Sequence, residues 1–499
     1  MDQMNKLKTL HNVKFGEQIA EQEPDALAAY FVETDNWRRL LKGSIDVVYG
    51  AKGAGKSALY TLLVSRADEL FDEGVILIPA ENPQGAPAFR GIAGDVTASE
   101  AQFANIWKLY FAALLYKELQ DFGASGTEID ELRKALAQEG LVKAKWSLSD
   151  LVNQVRNYVR HFSKPSGFES TMKVDANTQM PVAFSGKITF ADSSTDTDPE
   201  NHSVEHLIDL ADAACKAIGL KAWICLDRLD VAFAENADIE ARALRALFRV
   251  YLDLQGYKNI SIKIFLRSDV WQRITTEGFR EASHITRQVT IIWDRPSLIN
   301  LLVRRALHNK DLRDFYSVTD ALATSPIEDQ EKFLHRMLPD QVDVGPNKPT
   351  TVNWILTRTR DATERNAPRE LIHYLNCLRD VQVKRLELGE AEPEGEQLFA
   401  RASMKEALPE VSKTRLEQTL YAEYPAAKKW IEMLRGNKAS QTIASLCNLW
   451  KADEGEATKI AQSLADIGFF SEQKTEMATL WRVPFLYRDA LSLTMGTAD

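Results

Sequence analysis

Ile45-Asp46-Val47-Val48-Tyr49-Gly50-Ala51-Lys52-Gly53-Ala54-Gly55-Lys56-Ser57-Ala58-Leu59-Tyr60 decides how this chain is read. An apolar strand, 45–49, runs into a loop that opens a helix, and Gly50 to Ser57 fits the phosphate-binding pattern G-x-x-x-x-G-K-S. Gly50, Gly53 and Gly55 let the backbone turn its N–H groups inward around phosphates at a helix N-terminus. Lys56 reaches the β and γ phosphates, and the Ser57 hydroxyl holds Mg²⁺. The competing reading is a glycine-rich turn that happens to contain Lys-Ser; the strand before it and the helix after it weigh against that. The stretch predicts a nucleoside triphosphate site.

The surrounding composition suits a multi-domain protein: 499 residues, 45% apolar and 26% charged, when single cores stop growing at about 250–300 residues. Net charge is −10, so the surface as a whole does not attract nucleic acid or anionic lipid, and any such site must be a local patch. Cys215, Cys225, Cys377 and Cys447 show no CxxC pairing, which predicts buried thiols in preference to disulfides or metal ligands. Met1 to Lys6 has no apolar leader, and no uninterrupted apolar span reaches membrane length. A cytoplasmic chain with no membrane partner is expected.

Outward from the loop, the pattern predicts an amphipathic helix over 24–42 and short buried strands at 75–78, 222–226, 262–266 and 289–293. Helical periodicity covers 100–123, 128–140, 148–162, 204–218, 237–254 and 296–309. Strands alternating with helices predict an α/β fold, a parallel sheet with crossover helices on its faces. Residues 163–203 are rich in Ser, Thr, Asp, Pro and Gly and read as a surface insertion, with 181–184 and 187–190 forming a small hairpin. Beyond 310 the pattern is helical, at 327–337, 351–361, 367–388 and 400–420. Helices at 425–434, 440–449 and 455–467, followed by a terminal hairpin, predict a winged-helix-like domain. The divisions are a helical lead-in at 1–43, a core at 44–310, a helical lid at 311–422 and the winged-helix-like domain at 423–499.

A phosphate loop needs an acid that holds Mg²⁺ and polarises water. Asp227 follows the strand 222–226, at the carboxyl edge of the sheet where such an acid belongs. The next position, where a catalytic base is common, is Arg228; the next acid is Asp230, a candidate base. The plainer alternative makes Asp227-Arg228-Leu229-Asp230 a solvated loop with a surface ion pair. Arg267 ends the strand 262–266, where a polar residue senses the γ-phosphate through a charge-assisted hydrogen bond; the alternative is a local pair with Asp269. Arg369 opens a long helix and can reach the phosphates from a lid, or be an exposed arginine in a first turn. Arg273, Arg280 and Arg287 are candidates for a finger projected to a neighbouring subunit, or plain surface charges. The helix 455–467 sets Glu454, Glu456 and Asp466 against Lys459, a face that repels phosphate.

Taken together, Tyr30-Phe31-Val32-Glu33-Thr34, the loop Gly50 to Ser57, Leu226 to Asp230, Phe265-Leu266-Arg267-Ser268-Asp269-Val270-Trp271 and Val483 to Leu491 resemble a bacterial P-loop ATPase family. That family is allied to the STAND and origin-recognition-type AAA+ ATPases. The resemblance implies an ATPase core, a helical lid and a winged helix working as a nucleotide-driven switch that oligomerises, with ATP and Mg²⁺ as cofactors. It implies Lys56 and Ser57 as Walker A, Asp227 as Walker B, Arg267 as sensor 1 and Arg369 as sensor 2. Relatives are often encoded beside effectors in bacterial antiviral defence, so an effector protein is the expected partner.

Three functions remain in play. The first is a regulatory ATPase that oligomerises and controls a partner. The second is a DNA-dependent ATPase or loader, served by a basic strip at Arg358, Arg360, Arg365, Arg379, Lys384 and Arg385 that neighbouring acids dilute. The third is a non-hydrolysing nucleotide-gated scaffold, favoured by Arg228. DNA stimulation of turnover would single out the second, and background turnover despite tight ATP binding the third.

Overall fold

The computed structural model describes residues 6–17, 19, 22–80, 99–138, 167–174, 181–189, 204–229, 237–276, 278–475 and 479–498. The chain divides into two compact units: Met1–Asp35 with Gly50–Ala58 and Ile291–Asp499, and Asn36–Tyr49 with Leu59–Thr290.

The second unit is built on a five-stranded sheet. Its strands are β1 (Val47–Gly50), β2 (Val75–Pro79), β5 (Lys221–Leu226), β6 (Ile260–Arg267) and β7 (Gln288–Thr290), in the order β2-β5-β6-β1-β7. The pairs β2–β5, β5–β6 and β1–β7 are parallel. Ile76, Ile78, Ile224, Leu226, Ile262 and Ile264 are buried, the near-continuous apolar pattern of strands covered on both faces. The helix Glu100–Asp121 buries Phe103, Trp107, Tyr110 and Phe111, and starts on a Ser99–Gln102 capping box.

The register of β1 is fixed at its amino end by a buried charge cluster. Lys263 Nζ donates to Asp46 Oδ1 at 2.7 Å and to the Ile45 carbonyl at 2.9 Å. Arg287 Nε approaches Asp46 Oδ2 at 3.0 Å, and the Tyr251 hydroxyl donates to the same oxygen at 3.3 Å. The strands on either side of β1 are thus tied to one carboxylate. Burial pushes the Lys263 ammonium below its usual range, opposed by Asp46. A buried charge persists there because it is paired and hydrogen-bonded.

In the first unit the helices Arg295–Leu307, Ile327–Met337, Thr351–Arg358 and Pro368–Glu387 pack around Leu302, Phe333, Trp354, Leu371 and Tyr374. The same apolar cluster continues through Leu416 and Leu446 to Phe469, Trp481 and Tyr487. The tail has the winged-helix order: helix Lys428–Glu432, β8 (Lys438–Thr442), helices Ile443–Trp450 and Glu454–Asp466, then β9 (Ser471–Lys474) and β10 (Thr479–Arg482). A last strand, β11 (Thr494–Thr497), completes a sheet in the order β11-β8-β10-β9.

Several local expectations need correction. The helix over 24–42 breaks into Pro24–Leu27, Ala28–Tyr30 and Asp35–Leu41, because Phe31 turns extended at ψ 133°. The helix expected at 440 starts instead at Ile443: Thr442 is its cap, accepting from the Ser445 N–H at 3.1 Å, so the residues before it are free to form β8. The stretch 400–420 is not one helix but Arg401–Glu406, Leu408–Thr414 and a π-helical turn Arg415–Tyr421, with Pro409 in the first turn of the second piece. The expected hairpin strands 181–184 and 187–190 are, as far as residue 189, parts of the single strand β4 (Pro181–Thr189), whose antiparallel partner is β3 (Gly167–Val174); residue 190 lies outside the described residues. The helix expected over 148–162 lies outside the described residues.

Candidate phosphate-binding site

The loop from Gly50 to Ser57 joins β1 to the helix Lys56–Ser65. Gly53 and Gly55 sit at φ +77° and +98°, backbone that a side chain disfavours by about 1–2 kcal/mol. Gly50 is required for space instead: a Cβ there would lie 3.3 Å from both Ala54 Cβ and Lys56 Cγ. Ala54 N–H closes a turn onto the Ala51 carbonyl at 3.1 Å. Lys56 Nζ donates to the carbonyls of Gly50 at 2.8 Å and Ala51 at 3.0 Å. Its ammonium therefore lies folded across the mouth of its own loop, where phosphate oxygens could replace those carbonyls.

The helical part of the first unit grips this loop at three points. The Trp293 indole N–H donates to the Ala54 carbonyl at 2.8 Å. Lys52 forms an ion pair with Glu423. A Cβ at Gly53 would stand 3.2 Å from Arg369 Cβ and 3.3 Å from Ala367 Cβ. Arg369 of the helix Pro368–Glu387 thus lies beside the loop.

Behind Arg369 lies a polar cavity of about 350 Å³, lined among others by Glu17, Gln22, Glu370, His373 and Arg415. Glu370 is 4% exposed. Its Oε1 accepts from Arg415 Nη1 at 2.7 Å, while Oε2 has no hydrogen-bond partner among the described residues. Burial lowers the affinity of His373 for a proton, against the pull of Glu410 and Glu370. Buried acceptors without partners are costly, so a ligand amine or hydroxyl would be favoured beside Glu370.

The other sequence candidates lie at the carboxyl ends of strands in the second unit. Asp227 directly follows β5 and is buried, at 4% exposed. Arg228 is held at φ +56°, a left-handed turn that a non-glycine residue adopts rarely and that swings the chain away directly after Asp227. Asp230 lies outside the described residues. Arg267 ends β6 and forks onto Asp269, Nε to Oδ1 at 3.0 Å and Nη2 to Oδ2 at 2.6 Å. The local pair weighed from sequence is therefore formed, and a γ-phosphate would have to compete with it. Beside it, the buried Ser268 hydroxyl has no hydrogen-bond partner among the described residues.

Two of the three candidate finger arginines are committed within the chain: Arg273 to Glu240, and Arg287 to Asp46 and the Gly43 carbonyl. Arg280 stays exposed. Much of the basic strip is likewise occupied. Arg358 lies over the Trp354 and Phe485 rings, Arg379 pairs with Asp380, and Arg385 pairs with Glu390 and Glu406. Among the described residues no group of three or more His, Cys, Asp or Glu could hold a metal ion, and no helix is long and apolar enough to cross a membrane. All four cysteines are free thiols; burial pushes Cys215 and Cys225 up to about 12.

Sequence reasoning missed Trp293, Glu423, Glu370 and Arg415. Trp293 carried a weak signal, as the aromatic end of an expected strand. Glu423 and Arg415 carried none, because their roles depend on contacts with residues far away in the chain.

No family model matches the chain, and no curated protein does. Solved structures that resemble it over most of its length include three proteins. The ORC1 protein of Aeropyrum pernix, solved in complex with DNA, is 13% identical at a TM-score of 0.38, covering 95% of this chain and 96% of that one. A Walker-type ATPase of Pyrococcus abyssi is 12% identical at a TM-score of 0.38, covering 93% and 96%. The ORC2 protein of Aeropyrum pernix, in ADPNP and ADP complexes, is 12% identical at a TM-score of 0.31, covering 94% and 93%. Likeness at this level carries nothing about chemistry from those proteins to this one. The fold rests on this chain's own strand order, phosphate loop and winged-helix tail.

Proposed function

We propose that this chain is a regulatory ATPase: a P-loop switch that binds and hydrolyses ATP, assembles with further copies and controls a partner effector, in a bacterial antiphage setting. The observation that carries the reading is the loop itself, with Gly53 and Gly55 in left-handed backbone, Lys56 turned across it and Arg369 packed against Gly53. The loop N–H groups and Lys56 bind the phosphates. Arg369 registers their presence and passes it to the helix Pro368–Glu387. The cavity behind Arg369 offers the base and ribose a polar wall, with Glu370 as an acceptor for an exocyclic amine.

By their sequence positions, Ser57 in the loop and Asp227 directly after β5 are the oxygen donors we propose for Mg²⁺, a hard cation that takes oxygen ligands. Bound Mg²⁺ supplies charge neutralisation on the phosphates. Asp230 is proposed to orient the attacking water and Arg267 to sense the γ-phosphate once it leaves Asp269. Nucleic acid is not the favoured partner. The exposed residues of the helix Glu454–Asp466 include Glu454, Glu456 and Asp466 against Lys459, the wrong sign for a phosphate backbone.

A second reading, a nucleotide-gated scaffold with little turnover, is favoured by two observations: an arginine at position 228 where a base is common, and Arg267 already committed to Asp269. One experiment separates the readings. Phosphate release is followed at several concentrations of the full chain, with and without DNA, against Lys56→Ala. Turnover per chain that rises with concentration and ignores DNA supports the oligomeric switch. Turnover no higher than that of Lys56→Ala, together with ATP binding, supports the scaffold, and turnover dependent on DNA contradicts both.

A further inference from the structure

The ion pair between Lys52 and Glu423 joins two places with no reason to touch in sequence. Lys52 occupies a variable position of the phosphate loop, two residues from Ala54 and four from Lys56. Glu423 stands just past the π-helical turn Arg415–Tyr421, on the short connection into the winged-helix tail. Neither side chain is freely solvated: 30% of the Lys52 side chain and 15% of the Glu423 side chain are exposed. A carboxylate is therefore held, largely out of water, against a loop whose backbone geometry suits anions.

We propose that Glu423 is an internal counter-anion of the phosphate loop, a latch that bound triphosphate displaces; this rests on the reading of the loop as a triphosphate site. Phosphate oxygens and the Glu423 carboxylate compete for the Lys52 ammonium. The charge brought by the phosphates also repels a carboxylate screened by little water. Loss of the pair removes the ionic tie between the loop and the segment around 422–424, which leads directly to the helix Lys428–Glu432 and β8, and so loosens that segment. The latch makes the position of the winged-helix tail depend on whether the loop is filled. Coupling of this kind is reciprocal: whatever holds the tail in place also weakens nucleotide binding.

Neighbouring contacts make the latch selective. Trp293 holds Ala54 through a hydrogen bond between uncharged groups, which the charge of bound phosphate does not repel. Arg369 lies beside Gly53, its Cβ 3.2 Å from where a Gly53 Cβ would stand, and as a cation it attracts phosphate instead of competing with it. Of the three grips on the loop, the Lys52–Glu423 pair is the one that holds a loop cation with a carboxylate; the Glu370 carboxylate, 3.7 Å from the Cβ position of Gly53, is instead paired with Arg415.

The test uses the full chain with MgATP and two readouts: ATP affinity by calorimetry, and amide hydrogen exchange over 415–442. Glu423→Gln is expected to bind ATP about fivefold tighter, the low end of typical coupling. In that variant, exchange over 415–442 is already raised without nucleotide and changes no further on adding ATP. Lys52→Gln breaks the same pair from the other side: exchange rises in the same way, but affinity does not improve because a cation is lost with it. Unchanged or weaker affinity in Glu423→Gln overturns the latch, as does wild-type exchange in both variants. Lys56→Ala keeps the two ideas apart. If it binds ATP as the wild type does, the triphosphate site itself is wrong; if it does not, while Glu423→Gln matches the wild type, only the latch is.

Discussion

Gly53 shows how closely single residues are specified at the loop. Its φ of +77° and the 3.2 Å that a Cβ would leave to Arg369 Cβ set two separate penalties on any side chain. Gly53→Ala is expected to lower stability by about 1–2 kcal/mol from the backbone alone, and to push the start of the helix Pro368–Glu387 off the loop. Thermal unfolding should show the first effect. Weaker ATP binding with the triphosphate loop otherwise intact should show the second. Gly55 has an equally left-handed backbone but nothing within 4 Å of its Cβ position. Gly55→Ala therefore serves as the control for strain without displacement: it shares the loss of stability, and any extra loss of binding in Gly53→Ala belongs to Arg369.

At the scale of elements, Asp343 ties together parts of the helical region that are distant in sequence. It is hydrogen-bonded by Lys405 Nζ at 2.6 Å and by the Trp354 indole at 3.1 Å, with Arg358 at 3.6 Å. The Lys405 hydrogen bond, ahead of those from Trp354 and the charge of Arg358, holds its carboxyl below the usual 3.8. A carboxylate with a depressed pKa in the folded state contributes stability that is fully present above its unfolded pKa and is lost as pH falls through the folded one. Asp343→Asn should accordingly be destabilised at neutral pH. Its unfolding midpoint should also fall less steeply than the wild type's below pH 3.8, as followed by denaturant titrations across that range.

Elements with strong periodic signals were legible in the sequence. The helix at 237–254 matches its expected span, and the strands at 75–78, 222–226 and 262–266 lie inside the observed β2, β5 and β6. The misplaced boundaries lie where a capping or long-range contact overrides local pattern. Thr442 reads as part of a helix until its hydroxyl is seen capping Ser445, and Trp293 reads as strand until its indole is seen on Ala54. The same division holds at the site. The loop glycines, Lys56 and Ser57 stand out as candidates by motif, Asp227 by following β5 and Arg267 by ending β6. Glu370, Arg415 and Glu423 emerge only once the helical region is folded.

For the molecule as a whole, the net charge of −10 and the acidic exposed face of the helix Glu454–Asp466 act in the same direction, against a polyanionic partner, as the proposed nucleotide-controlled switch requires. That account stands or falls on whether the loop Gly50 to Ser57 takes a triphosphate. The direct measurement is a calorimetric titration of the full chain with MgATP, alongside Lys56→Ala. The account predicts saturable one-site binding to the wild type and loss of at least about 1.4 kcal/mol, tenfold in affinity, in the variant. Equal affinity for the two proteins, or no binding to the wild type, would contradict it.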